Sequence, residues 1–238
     1  MKTYAFVFAR GGSKGVPGKN IRKLAGKSLL AYSIDLAKGI EMVDKIFVST
    51  EDETIASIAL EHDVNIIDRP EGLALDNTPE WLVWQHAVKW LEERGEKFDV
   101  FLSLPTTSPL RNKSDIYSSI KCLDENTDVV LSMTVAARSP SFNMVRKTND
   151  GFIELLMKNN QPIHRRQDAP KIYDLTTVAY VTRPKFIKSA RGIFEGRVKS
   201  IEIPAERAID IDSELDFEIA EFLIYRLKKI NKEKANAR

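Results

Sequence analysis

Arg10, Lys14 and Lys19 fall in one short stretch that also holds Gly11, Gly12, Gly15 and Gly18, with Ser13 among them and Asn20 closing it. Glycine lets backbone N–H groups approach an anion without side-chain bulk. Guanidinium and ammonium groups add charge that suits phosphate oxygens. Far along the chain, Asp210 and Asp212 stand in the run Ala208-Ile209-Asp210-Ile211-Asp212-Ser213-Glu214. If that run is extended, alternation puts both carboxylates on one face and both isoleucines on the other. Two carboxylates facing a polyphosphate make a seat for Mg²⁺, which takes hard oxygen ligands and completes its shell with phosphates and water. The competing reading is helix capping, with Asp212 or Ser213 as N-cap and acids in the first turn. A basic, glycine-rich loop in the same chain favours the metal.

Several other chemistries are disfavoured. The loop is not G-x-G-x-x-G in register. It also misses the P-loop, because Asn20 follows Gly18-Lys19 and Ser13 stands where the first glycine belongs. No strained G-x-S-x-G turn is present for a Ser/His/Asp triad. His62, His86 and His164 are scattered without zinc-type spacing, and His62 and His86 read as packing or surface residues. Cys122 is the single cysteine, which excludes an internal disulfide and suits a reducing cytoplasm. The formal net charge of +2 gives no global reason to expect nucleic acid or an anionic membrane as partner. No apolar run approaches the roughly 20 residues that span a bilayer.

These groups need a scaffold. Residues 4–9 read as a strand feeding the glycine loop, and 28–37 as a helix with Leu30, Ser33, Ile34 and Ala37 on one face. Strands are expected over 45–49, 65–67, 98–104, 128–135, 177–182 and 198–203. Helices are expected from residue 50, from Pro79 with Trp81, Trp84, Val88 and Leu91 at helical spacing, and over 113–123, 184–190 and 214–230. The tryptophan stripe reads as packing. The last helix carries Leu215, Ile219, Phe222, Leu223 and Leu227 on one side. Strand and helix in alternation predict an α/β fold: a mostly parallel central sheet with helices on both faces. The rhythm breaks over residues 136–171, where Arg138, Arg146, His164, Arg165 and Arg166 mix with prolines. We read 1–238 as one domain in which this segment is an insertion serving a dimer contact, a substrate lid or both. Arg165-Arg166-Gln167 is either a solvated patch or an anion clamp.

The loop Arg10-Gly11-Gly12-Ser13-Lys14, with Lys19-Asn20 after it, resembles the nucleotide-binding loop of the CMP-sialic acid synthetases (acylneuraminate cytidylyltransferases). Further blocks follow in family order: Val48-Ser49-Thr50, Arg69-Pro70-Glu71-Gly72-Leu73-Ala74 with Asp76, Thr107-Ser108-Pro109-Leu110-Arg111, Arg165-Arg166-Gln167-Asp168-Ala169-Pro170, and Ile209-Asp210-Ile211-Asp212-Ser213-Glu214-Leu215-Asp216. Together they cover nearly the whole chain. The resemblance implies a Rossmann-like nucleotidyltransferase fold with a small dimerisation lobe, acting as a homodimer. It implies an Mg²⁺-dependent reaction in which CTP and a nine-carbon 2-keto (nonulosonic) sugar acid give the CMP-sugar and pyrophosphate. It places Arg10, Gly11, Gly12, Ser13, Lys14, Lys19, Asn20, Arg69 and Asp76 at the nucleotide, and Asp210 and Asp212 at the metal. The resemblance likewise assigns Thr107, Ser108, Arg111, Arg165, Arg166, Gln167 and Asp174 to the sugar. It implies that Arg10, Lys19, Asp210 and Asp212 carry the catalysis.

Departures from the family pattern gather at the sugar end. Pro105-Thr106-Thr107-Ser108-Pro109 stands where sialic acid enzymes have Gln-Pro-Thr-Ser-Pro, and Asp174-Leu175-Thr176-Thr177-Val178 where they have Arg-Pro-Asn-Gly-Ala. Residues 140–143 and 169–174 look more like the legionaminic acid branch. The expected substrate is therefore a nonulosonate other than N-acetylneuraminate. A cytidylyltransferase for Kdo or amino-Kdo is the nearest alternative. A CTP-binding module without catalysis and a scaffold protein are alternatives of other classes.

Overall fold

The computed structural model describes residues 1–158, 161 and 163–236. Its first strand, β1 (Thr3–Phe8), shows how the layers arise. Tyr4 and Phe6 point to one face of the sheet and Ala5 and Val7 to the other, and all four are buried. After β1 come the loop, the small pair β2 (Lys23–Leu24) and β3 (Lys27–Ser28), and helix α1 (Leu29–Lys38). The Ser28 hydroxyl caps α1 by accepting from Ala31 N at 3.2 Å, which satisfies one of the unpaired first-turn donors. The chain continues through β4 (Lys45–Thr50), α2 (Glu53–Glu61), β5 (Asn65–Asp68), α3 (Glu80–Glu92), β6 (Val100–Ser103) and α4 (Lys113–Cys122). It then forms β7 (Val129–Val135), β8 (Val145–Lys147), β9 (Ile153–Leu155), β10 (Tyr173–Thr182), α5 (Pro184–Ser189), β11 (Val198–Glu202) and α6 (Glu214–Asn236).

Seven strands form one sheet in the order β11-β7-β10-β6-β1-β4-β5. β10 runs antiparallel to β6 and β7, and the other four pairs are parallel. The mostly parallel α/β sheet expected from the alternation is what forms. Leu30, Ile34, Ile55, Ala59, Ile116 and Ile120 bring α1, α2 and α4 onto one face. Trp81, Trp84, Val88, Leu91 and Ile187 bring α3 and α5 onto the other. Trp84 packs against Phe101 with ring centres 5.2 Å apart, and Trp81 Nε1 donates to Ala190 O at 2.9 Å. The tryptophan stripe is core.

A third apolar cluster matters most for the site. Val16 from the glycine loop, Leu24, Leu29, Leu110, Ile211, Phe217, Ala220 and Ile224 pack together. This cluster fastens the loop after β1 to the chain entering α6. Here the sequence reading needs correction. Of the apolar side expected for the last helix, Leu215, Ile219, Phe222 and Leu227 are exposed and only Leu223 is partly buried. The helix has two apolar stripes, and contact with Leu24 and Leu29 selects the one through Phe217, Ala220 and Ile224.

The 136–171 segment leaves the main sheet. Within it, β8 and β9 pair antiparallel as a separate two-stranded sheet, and Phe152 and Ile153 stay 72% and 68% exposed.

Candidate active site

The chain runs from β1 outward through β4 to β5, then crosses to β6 on the other side of β1. A crevice opens at the carboxyl ends of parallel strands where the order reverses in this way. A cleft of about 570 Å³ lies there, within the range of small-molecule sites. Its lining includes Arg10, Ser13, Lys14, Gly15, Lys19 and Asn20 from the loop after β1, and Arg69 from the end of β5. Pro105, Thr106 and Thr107 come from the end of β6, Thr177 from β10, and Asp210 and Asp212 from the approach to α6.

The two ends of the chain meet closely. Lys19 Nζ donates to Ile211 O at 2.6 Å and reaches Asp212 Oδ1 at 3.3 Å. Ile211 N donates to Thr107 O at 2.9 Å, and Ile211 itself is fully buried. Arg22 Nη1 donates to Glu214 Oε1 at 2.6 Å, and its guanidinium lies 4.1 Å from the Phe217 ring centre. Gly15 makes the approach possible: a Cβ there would stand 2.2 Å from the Asp212 carbonyl oxygen. The capping reading and the carboxylate reading divide between neighbours. Ser213 and Asp216 cap α6, with Ser213 N donating to Asp216 Oδ2 at 2.8 Å and Asp216 N to Ser213 Oγ at 3.3 Å. Asp212 is left to face the cleft and Lys19.

The loop itself is held by Asn20, whose Nδ2 donates to Arg10 O at 2.8 Å while its Oδ1 accepts from Thr106 Oγ1 at 2.6 Å. Arg10 pairs with Asp76 at 2.6 Å, and Lys14 pairs with the other oxygen of the same carboxylate. The Lys14 and Arg10 contacts hold the Asp76 carboxyl below the usual range. Arg69 is buried and donates to Ser49 O at 2.5 Å. Burial lowers its pKa to about 10, against the opposing pull of Glu51. Asp210 is perturbed in the other sense. Burial raises its pKa and the Asp212 charge adds to that, while the Thr107 and Thr177 hydroxyls and Lys19 oppose it. Its Oδ1 is buried without a hydrogen-bond partner. A lone pair stripped of water in this way fits a cation ligand. Among the described residues no cluster of three or more His, Cys, Asp or Glu forms a ready-made metal cage.

Other expected residues lie elsewhere. The Gly11 N–H is taken by Glu51 Oε1 at 2.8 Å, and neither Gly11 nor Gly12 lines the cleft; Gly15 is the glycine that does. Ser108 is fully buried, bonded to Thr177 Oγ1 at 2.7 Å. Arg111 points inward behind the cleft, donating to Ser108 O at 2.7 Å, to Val178 O at 3.0 Å and to Pro105 O. Burial lowers its pKa to about 9. Its neighbours make it a brace, since it has no face on the cleft. Arg165 pairs with Asp168 at 2.9 Å. Arg166 and Gln167 line a separate cavity with Arg138 and Lys171, and Asp174 lies opposite Thr134 at the outer end of β10. These four are carried by the inserted segment and the far half of β10, away from this chain's cleft. Phe8, Glu80, Thr106 and Thr177 line the cleft as well, and no sequence signal assigned them to it. Glu80 follows Pro79 and reads in sequence as an ordinary first-turn acid, although its Oε1 accepts from Trp84 Nε1 at 3.1 Å inside the cleft wall.

A parallel sheet with a cationic glycine loop beyond its first strand, facing two carboxylates, defines a nucleotide-handling α/β enzyme. The chain belongs to the cytidylyltransferase family, whose model matches residues 4–235, and is thus a nucleotidyltransferase. It is 34% identical over 221 residues to the post-translational flagellin modification protein B of Campylobacter coli, covering 92% of this chain and 93% of that one. The CMP-N,N'-diacetyllegionaminic acid synthase of Campylobacter jejuni is likewise 34% identical, with the same coverage. An N-acylneuraminate cytidylyltransferase of Streptococcus agalactiae is 28% identical over 91% of this chain but only 52% of its own length. In fold, the chain matches a CMP:2-keto-3-deoxy-manno-octonic acid synthetase complexed with CTP, with a TM-score of 0.71 at 14% identity over 95% and 99% of the two chains. The resemblance read from the motifs is thus the family found.

Proposed function

We propose that this protein couples CTP to a nine-carbon 2-keto sugar acid of the legionaminic type, releasing pyrophosphate. The observation that carries the reading is the convergence of the cationic loop with Asp210 and Asp212 across one cleft, with Lys19 and Asp212 3.3 Å apart. Arg10, Lys14, Lys19 and Arg69 are matched in the cleft by Asp76, Glu80, Asp210 and Asp212. A triphosphate meeting an anionic sugar in so balanced a cleft needs added positive charge. We assign Asp210 and Asp212 to Mg²⁺, and the unpartnered Asp210 Oδ1 supports that assignment. Bound there, the ion would offset charge developing on the α-phosphate. The chain's own work is positioning: Arg10, Lys14 and Lys19 take phosphate oxygens once Asp76 yields, and Asn20 keeps the loop in register with β6.

A homodimer is part of the proposal. The β8–β9 hairpin exposes Val145, Phe152 and Ile153, and Leu175 on β10 is exposed too, more apolar surface than a free hairpin should leave in water. Arg165, Arg166, Gln167 and Asp174 ride on or beside that segment, and we assign them to the sugar end of the partner's cleft. Lone Cys122 and the lack, among the described residues, of a helix long and apolar enough to cross a membrane support a cytoplasmic placement.

The 34% identity to a legionaminic acid synthase supports this sugar over the Kdo alternative, whose representative shares 14%. The test is pyrophosphate release with CTP, Mg²⁺ and a panel of N-acetylneuraminate, legionaminate, pseudaminate, deaminated sialic acid and Kdo. Preference for legionaminate is expected. Clear preference for N-acetylneuraminate rejects the sugar assignment, and CTP binding without turnover on any member rejects the enzyme.

A further inference from the structure

Thr177 reaches the cleft because β10 is irregular. Its register with β7 passes from Thr176 opposite Ser132 to Tyr180 opposite Leu131, so Thr177, Val178 and Ala179 leave the ladder. Ser132 fills the gap: its hydroxyl lies 3.1 Å from Thr176 O and 3.3 Å from Ala179 O, and it accepts from Ala179 N at 3.2 Å. Arg111 holds the bulge from the other side, since it bonds both Val178 O and Ser108 O. Thr177 Oγ1 thereby comes within 2.7 Å of Ser108 Oγ and 3.1 Å of Thr107 Oγ1. Bulges of this kind re-aim side chains beside functional sites.

The protons of this cluster can be counted. Three hydroxyls bring three protons, and the two oxygen–oxygen contacts consume two of them. Ser108 is 0% exposed, so leaving the third proton on it would strand a donor in the interior. The spare donor therefore falls on Thr107 or Thr177. Those are the two hydroxyls that line the cleft with Asp210, and both favour its ionised form.

We infer that Thr177 is a positioning residue: as the hub of the Ser108–Thr177–Thr107 cluster it holds an ordered donor on one oxygen of Asp210, keeping Oδ1 for the cation. The inference rests on the proposed role of Asp210 as a magnesium ligand. Outer partners that orient a metal ligand typically change metal affinity about 10–100-fold when removed.

The test uses Mn²⁺ titrated into the full-length protein saturated with CTP, without sugar, so that no turnover occurs; free Mn²⁺ is read by its electron paramagnetic resonance. Thr177→Val keeps the shape and removes the hydroxyl, and should weaken Mn²⁺ binding about tenfold or more. Thr177→Ser should restore binding to within about twofold of wild type, and metal-free CTP binding should be the same in all three. Ser108→Ala, which removes the upstream donor, should weaken Mn²⁺ binding in the same direction and decides the matter if Thr177→Val does not fold. Unchanged Mn²⁺ affinity in Thr177→Val, or in Ser108→Ala, overturns the inference. So does a Thr177→Ser protein as impaired as Thr177→Val, or a parallel loss of metal-free CTP binding. If wild type itself takes up no Mn²⁺ beside CTP, the metal role of Asp210 falls and this inference falls with it.

Discussion

Gly15→Ala tests the meeting of the two chain ends more directly than any charge substitution. The added methyl carbon would stand 2.2 Å from the Asp212 carbonyl oxygen, so loop and acid segment must part by more than about 1 Å to reach ordinary van der Waals distance. The obstacle is backbone, not the far end of a flexible side chain. Gly15 has no left-handed backbone conformation to defend, so the effect is one of contact alone. Overpacking of this kind costs about 1–3 kcal/mol. For a chain of this size that lowers Tm by about 2–4 °C per kcal/mol. The catalytic effect should be larger. A misplacement of about 1 Å in a reacting array can cost about 100-fold, equivalent to about 2.7 kcal/mol of barrier. The assay is continuous pyrophosphate release at saturating CTP and Mg²⁺, run beside thermal unfolding. Gly192→Ala is the control, since a Cβ there meets nothing within 4 Å and Gly192 lies outside the cleft lining. A Gly15→Ala protein with kcat within twofold of wild type would refute the claim that Asp212 must sit against the loop for chemistry.

Two further substitutions probe buried charges. Arg111→Ala leaves the carbonyls of Pro105, Ser108 and Val178 without their donor, and should destabilise the fold by about 3–5 kcal/mol. Arg111→Lys should recover only part, because one ammonium cannot span the fork; a thermal shift under 1 °C for Arg111→Ala would remove the brace. Asp210 has a pKa raised first by burial and then by Asp212, so its ionised form opposes folding. Its contribution is fully present below the unfolded pKa of about 3.9 and is lost as pH rises through the higher folded value. Asp210→Asn should therefore raise Tm of the free protein at neutral pH and flatten its decline above about pH 4, while pyrophosphate release falls at least about 100-fold. A lower Tm at pH 7 together with unchanged turnover would contradict both halves.

The residues that could be read from the sequence are those whose type and local spacing carry the information. Glycine and cations beyond β1 mark the loop that lines the cleft by residue type alone. The aspartates that alternate with Ile209 and Ile211 declare a shared face, because Ile211 buries itself and turns its two neighbours toward the cleft. Strand and helix periods likewise announce a parallel sheet, and Trp81 and Trp84 at helical spacing announce a packed stripe.

What the linear pattern left open depends on partners supplied from elsewhere. Arg111 after a hydroxyl-rich turn has the sequence appearance of a substrate cation, yet two carbonyls of its own turn and one from β10 claim it. α6 offers two apolar stripes of similar quality, and packing with Val16, Leu24, Leu29, Leu110 and Ile211 decides which is buried. Thr177 enters the cleft through a bulge that no local period signals. The sequence determined which chemistry this protein carries, since charge, glycine and alternation are local properties. Tertiary structure decided which copies of that chemistry share one cleft, because the contact between Lys19 and Asp212 spans 193 residues of chain and exists only once the sheet and the Val16–Ile211 cluster have closed around it.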